Sequence, residues 1–337
     1  MKNTPRRRVS MQSVADAAGV ARSTVSFVLN GKEKEGRISA EVAQRVRRVA
    51  KQMNYQVNEL ARSLRTGQSQ TIALIVANIS DPFFGRLTYC LQEYAEKESY
   101  TVIIFNTGEN RERLTKIFTL LRQRRVDGII MVPVANIEEG VIEDLRPDVP
   151  MVIIDRYFPK MRTSCVCIDN YGISTKATQL LIDKGCRKVL FVTFREKLMH
   201  MQDRKKGYAD VLREHNLFDE NLICEVDYFD YREEIKVVLQ DAFKKNPDID
   251  GVFISTGFLS PIVLKVLVGL GRKLQEDIQI ISFGRTDLAL GVSIPYIQQP
   301  LEEICKRSFN ILMDLIKDPD DRVIEHILPA QIITDSE

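Results

Sequence analysis

The sequence predicts two unlike parts: an all-α helix-turn-helix headpiece, and an α/β core of two doubly wound parallel-sheet lobes. Three observations carry this. Charge is divided: Met1–Gln70 holds 14 Lys/Arg against 5 Asp/Glu, whereas the rest of the 337 residues carries a net charge of −7, the pattern of a basic nucleic-acid head on an ordinary acidic body. Inside the basic part, two short amphipathic segments are broken by Gly19. From Thr71 onward, β-branched apolar runs alternate with stretches of helical period, as in buried parallel strands with crossover helices.

Ser10 is placed to cap a first helix whose apolar face is Met11, Val14, Ala15 and Ala18. Gly19 allows the positive φ of a sharp break, and Val20 fills the angle between the helices. A second helix turns Val25, Val28 and Leu29 inward and leaves Arg22, Ser23, Ser26 and Phe27 outward, where a recognition helix meets base edges. The competing reading is a plain helical hairpin; the flanking basic charge favours DNA. After the loop GKEKEGRI, Ser39 caps a third helix with Glu41 in its first turn and Val42, Val46, Val49 and Met53 facing inward. Lys2, Arg6, Arg7 and Arg8 form an N-terminal arm suited to phosphates. Next, NYQVNELARSLRTGQSQT reads as a linker in which Asn58 caps a helix from Glu59 to Leu64, too short to be stable alone.

Three stretches together, SVADAAGVARSTVSFVLNG, NY-x-x-N-x-x-ARSLRTG and IALIVANISDPFF, resemble the lactose-repressor (LacI/GalR) family of bacterial transcription regulators, and the resemblance runs the length of the chain. It implies a headpiece at 1–56, a hinge helix and linker at 57–69, and a periplasmic-binding-protein-like core at 70–337 that binds an effector and dimerises. The first lobe is expected at about 70–169 plus 301–325, and the second at about 170–300 plus the C-terminal strand. The resemblance places base contacts at Arg22, Ser23 and Phe27, phosphate contacts at Ser10, Thr24, Ser26, Asn30 and Tyr55, and a minor-groove leucine at Leu64 with Ala61 one turn earlier. Arg22 suits a guanine. Phe27 stands where arginine is common, Ala21 replaces a usual capping serine, and Val57 replaces a usual proline.

In the core, TIALIVA, YTVIIFN, GIIMVPV, MVIID, CVCID, KVLFVT, ICEVD, GVFIS and IQIISF read as strands separated by helices, ending in a helix at Leu301–Lys317 that the resemblance returns to the first lobe. Ligands of such lobes sit at C-terminal strand ends, between them. The candidates are Asp81, Phe83 and Phe84; Asp155 and Arg156; Arg195, His200 and Arg204; Thr256; and Arg285. In the family an arginine of an R-x-x-G-(F/Y) motif clamps the ligand, and RKKGY supplies Arg204. Members that bind neutral sugars carry carboxylates where Thr256–Gly257 and Ser282–Phe283–Gly284–Arg285 stand here. That exchange, with Arg156 and Arg204, implies an anionic effector, a sugar phosphate or sugar acid. The loop GKEKEGRIS and the segments VFISTGF and ISFG are similar to the fructose-responsive branch.

Three histidines, no Walker loop, no G-x-S-x-G and no metal-ligand spacing leave no enzyme, metal or cofactor to expect. Six cysteines lack any CxxC; Cys165 and Cys167 share one face of a strand and are poorly placed to bridge each other. No apolar run comes near ~20 residues and the start is not leader-like, so a cytoplasmic protein is expected; the resemblance implies a homodimeric transcription regulator of a pseudo-palindromic operator. A solute-binding module acting through a protein partner, a sugar-phosphate enzyme on the same fold, and a phosphocarrier protein as co-effector remain open alternatives.

Overall fold

The computed structural model describes residues 9–55, 67–135, 137, 139–158, 163–196, 198–286, 292–319 and 322–334. The basic arm (Lys2, Arg6, Arg7, Arg8), Val57 and the hinge residues Asn58, Ala61 and Leu64 lie outside them. The chain divides into two units, 1–69 and 70–337.

The first unit is a three-helix cluster: α1 (Met11–Ala18), α2 (Arg22–Leu29) and α3 (Ala40–Gln52). Ser10 caps α1 by accepting from the Ser13 amide at 3.1 Å. Gly19 ends it in the left-handed region at φ +65°, with its own amide and that of Val20 closing on Asp16 and Ala15 carbonyls. Val14, Ala15, Val25, Val28 and Val46 are buried, with Met11, Val20 and Leu29 packed around them. On α3 the inward stripe is shifted: Ala43, Val46 and Ala50 are buried, while Val42, Val49 and Met53 flank them half-buried. Small alanines let the helices approach, and the larger valines seal the edge.

The second unit holds two six-stranded sheets. In the first, β1 (Thr71–Val76), β2 (Thr101–Asn106), β3 (Gly128–Met131), β4 (Met151–Ile154), β5 (Ser164–Ile168) and β11 (Glu325–Leu328) lie in the order β11-β5-β4-β3-β1-β2, all parallel. In the second, β6 (Val189–Phe194), β7 (Ile223–Val226), β8 (Gly251–Ile254), β9 (Gln279–Phe283), β10 (Tyr296–Gln298) and β12 (Gln331–Ile333) run β12-β10-β9-β8-β6-β7, with β12 antiparallel. Helices α4 (Pro82–Lys97), α5 (Arg111–Gln123) and α6 (Glu139–Leu145) serve the first sheet. Helices α7 (Asn170–Asp183), α8 (Met199–Glu214), α9 (Tyr231–Lys245) and α10 (Ser260–Gly269) serve the second, and α11 (Leu301–Lys317) returns to pack on α4 and the first sheet. The chain therefore passes between lobes three times, after β5, after β10 and after β11. Two details differ from expectation. The first sheet gains β11, beyond the expected return segment at 301–325, and β10 was not anticipated, being only three residues with one buried position.

The RKKGY motif explains the tightest helix pairing. A Cβ on Gly207 would lie 2.6 Å from the Tyr171 carbonyl and 3.0 Å from the Ser174 side chain of α7. The glycine thus lets α8 lie against α7, and Tyr208 behind it is buried with its hydroxyl donating to the Val189 carbonyl at 2.7 Å. One turn earlier, Arg204 is brought to the first turn of α7. Gly207→Ala should destabilise the core by about 1–3 kcal/mol, read by urea unfolding, because backbone rather than a movable side-chain tip must give way. Unchanged stability would mean the helices are not packed this closely.

Candidate nucleic-acid interface and effector cleft

The headpiece residues expected at DNA differ in exposure. Arg22 and Ser23 are exposed at the start of α2, Ser10 and Asn30 are exposed, and Thr24, Ser26 and Tyr55 are half-buried. Ala21 caps α2 without a side-chain hydrogen bond, leaving the amides of its first turn available. Asn30 donates to the Ser26 carbonyl at 2.6 Å, so these two residues fasten the end of α2 to itself. Phe27 is half-buried, and its ring lies over Gly36, where an added Cβ would sit 2.9 Å from it. The aromatic therefore pins the loop between α2 and α3, which a Glu33–Arg47 ion pair ties to α3.

In the core, the expected effector residues converge on a cleft of about 650 Å³ between the C-terminal ends of the two sheets. Asp81, Phe83, Phe84, Asp155, Arg156, His200, Arg204, Thr256 and Arg285 line it. Arg195 does not. Phe194 and Glu196 face the cleft, and the residue between them turns the opposite way, its guanidinium reaching the Glu225 carbonyl at 3.2 Å and Glu234 at 3.5 Å. Alternation along an extended chain explains the correction.

Arg156 proves to be already matched. It is buried, and its Nη2 and Nη1 donate to Glu109 at 2.6 and 3.0 Å, with Nη1 also donating to the Pro133 carbonyl. The Ala135 amide holds the same carboxylate at 2.7 Å. Burial alone would lower the guanidinium's pKa; Glu109 reverses this and drives it upward. Arg204 is different. Its Nε donates to Asn170 Oδ1 and its Nη1 to the Ser255 carbonyl, both at 2.8 Å, and the guanidinium stacks 3.4 Å from the centre of the Phe283 ring. These partners are neutral, and burial pulls its pKa down to about 10. Asp155 sits at φ +66°, a strained conformation for a residue with a Cβ, and is buried beside both arginines. Burial pushes Asp81 up to about 6, although it caps α4 by accepting from the Phe83 amide. Glu196 is pushed up to about 7, first by burial and then by Glu109. His200 is driven well below its ordinary value by burial and by Arg204, and its Nδ1 has no hydrogen-bond partner. Arg285 is exposed at the rim.

Several lining groups escaped the sequence reading: Glu109 and Glu196, Asn78 and Tyr228, which meet across the lobes at 2.8 Å, and the Phe194–Phe258 aromatic wall. All but Phe258 sit at or just past strand ends, so applying the strand-end rule to β2 and β7 as well would have found Glu109 and Tyr228. Among the described residues, no group of three or more His, Cys, Asp or Glu is arranged to hold a metal ion, and no helix is long and apolar enough to cross a membrane.

Residues 69–326 match the family described as periplasmic binding proteins and sugar binding domain of LacI family, and residues 10–58 match bacterial regulatory proteins, lacI family. The chain belongs to the LacI family. Relatives include the ribose operon repressor of Halalkalibacterium halodurans, 28% identical with 96% of this chain and 95% of that one covered. The HTH-type transcriptional repressor PurR of Vibrio vulnificus is 28% identical over 97% and 98%. In fold, the lac repressor dimer bound to operator and the anti-inducer ONPF superposes with a TM-score of 0.82 at 16% identity, covering 97% of this chain and 98% of that one. The CelR–cellobiose complex does so at 0.71 and 22%, covering 97% and 99%. The LacI-type architecture of a helix-turn-helix headpiece on a two-lobed core thus stands.

Because Arg156 and Glu109 satisfy each other, removing one strands a buried charge. Arg156→Met should lower the stability of the core by about 3–5 kcal/mol, measured by denaturant unfolding, and Glu109→Gln in the same background should recover part of it. A variant as stable as the parent would refute the buried-pair assignment.

Proposed function

We propose that this LacI-family chain is a cytoplasmic, non-enzymatic transcriptional regulator of carbohydrate metabolism that binds a pseudo-palindromic operator as a homodimer and is controlled by a sugar held between its lobes. The single observation that carries the effector half of this reading is Arg204. It is a buried cation on neutral partners, flanked by under-compensated carboxylates and aromatic rings, in the wall of a sugar-sized cleft. Relatives named for ribose regulation and a fold neighbour bound to cellobiose support the ligand class.

The carboxylates decide which sugars suit. Asp81, Asp155 and Glu196 line the cleft with Arg204 while Arg156 is spent on Glu109. Hydroxyl groups can donate to those carboxylates as the guanidinium donates to ring or hydroxyl oxygens. We therefore favour a neutral sugar. Arg204 also carries the second reading, the anionic effector of the fructose-responsive branch: its hydrogen-bonded partners carry no charge, so a phosphate or carboxylate could pair with it directly, with Arg285 at the rim.

Titration separates the two. A hydroxyl that donates to Asp81 or Glu196 favours the ionised carboxylate, so a neutral sugar should bind more weakly as pH falls through about 7 and then about 6. A sugar acid stays charged across that window and is repelled by ionised Asp81 and Glu196, so its affinity should rise as pH falls. Calorimetry with neutral pentoses and hexoses beside sugar acids reads the sign directly. Binding of neither class, nor of sugar phosphates tried beside them, would end the sugar reading.

For DNA, Arg22→Ala should cost about 1–3 kcal/mol of discrimination at one base position in each half-site, measured by competition against operator variants, and wild-type affinity should fall steeply with salt. Operator affinity insensitive to salt would instead favour a module whose headpiece meets a protein partner.

A further inference from the structure

Behind the effector cleft lies a separate cavity of about 240 Å³. It opens where β5 hands the chain to the second lobe. Cys165 and Cys167, two residues apart on β5, project from the same face of the first sheet into it. They are buried, free thiols. Thr163, 6% exposed, lines the same cavity, and its hydroxyl has no hydrogen-bond partner. The opposite wall is Asn170 and Asp203, the latter accepting from the Tyr157 hydroxyl.

Two thiols two residues apart along one strand are poorly placed for a disulfide. They are well placed to share one soft ion. The donor count then selects the ion. Among the described residues no third His, Cys, Asp or Glu joins a pair in a metal-holding arrangement, which disfavours zinc with its four ligands and the oxygen-seeking calcium and magnesium. Soft monovalent d10 ions accept two thiolates in a line.

We propose that Cys165 and Cys167 form a two-coordinate site for a soft, thiophilic monovalent cation of the copper(I) class, distinct from the effector cleft. Binding exchanges two S–H bonds for two S–metal bonds and releases two protons, with no change of oxidation state. The bound ion would stand one wall away from Asn170, whose carboxamide receives Arg204.

The test uses the reduced full-length protein and copper(I) supplied as its bicinchoninate complex, with the colour of that complex as readout. One equivalent should be withdrawn by the wild type and by Cys90→Ala, and at least tenfold more weakly by Cys165→Ala and by Cys167→Ala. Failure of the wild type to withdraw copper, or undiminished withdrawal by both β5 variants, overturns the site. Should either β5 variant fail to fold, X-ray absorption of the copper-loaded wild type decides alone. Two sulfur neighbours in a line support the assignment, and a three- or four-neighbour shell overturns it.

Discussion

The core is organised around a buried guanidinium. Arg204 is carried by α8, steadied by the first residue of α7 through Asn170, held by the carbonyl of Ser255 just past β8, and covered by the Phe283 ring at the end of β9. Four elements must be in register for these contacts to coincide. That requirement explains the glycine at 207, without which α7 and α8 could not lie so close. It explains equally why the neighbouring cation is neutralised on its own lobe: two unpaired guanidiniums in one cleft would repel each other in a poorly screened interior. Glu109 takes up Arg156, and Arg204, on neutral hydrogen-bond partners, stays available to a ligand.

This division of labour ties the cleft to movement. Asn78 and Tyr228 join the lobes at the cleft mouth, and Tyr157 and Asp203 join them behind it. The chain crosses between lobes three times, which ties them together. A sugar that satisfies Arg204, His200 and the buried carboxylates together favours the closed arrangement only to the extent that it binds that arrangement better. In the regulator proposed above, that preference is what would couple the cleft to operator binding.

Much of this was legible in the sequence because it depends on period and punctuation. Gly19, the Ser10 and Ser39 caps and the two apolar faces specified the headpiece, and the β-branched runs specified nine of the strands. The failures have physical causes. Arg195 looked like a cleft residue because it follows a strand, but side chains alternate, and the cleft belongs to Phe194 and Glu196. Arg156 lines the cleft, but its partner, Glu109, could not be read, because it is 47 residues away and no local pattern announces a long-range ion pair. β10 went unread because three residues hold too little pattern, and the α3 stripe was misjudged because valine outranks alanine on any hydropathy scale, whereas close packing prefers the smaller residue.

Occupancy at Arg204 should be felt at the operator. Operator affinity of the full-length protein, measured with and without the effector sugar in wild type and in Arg204→Met, tests it most directly. The wild type should show a shift of about 5–150-fold, in either direction, while the variant binds the operator with the unliganded affinity whether or not sugar is present. An equal sugar-dependent shift in Arg204→Met would contradict the account.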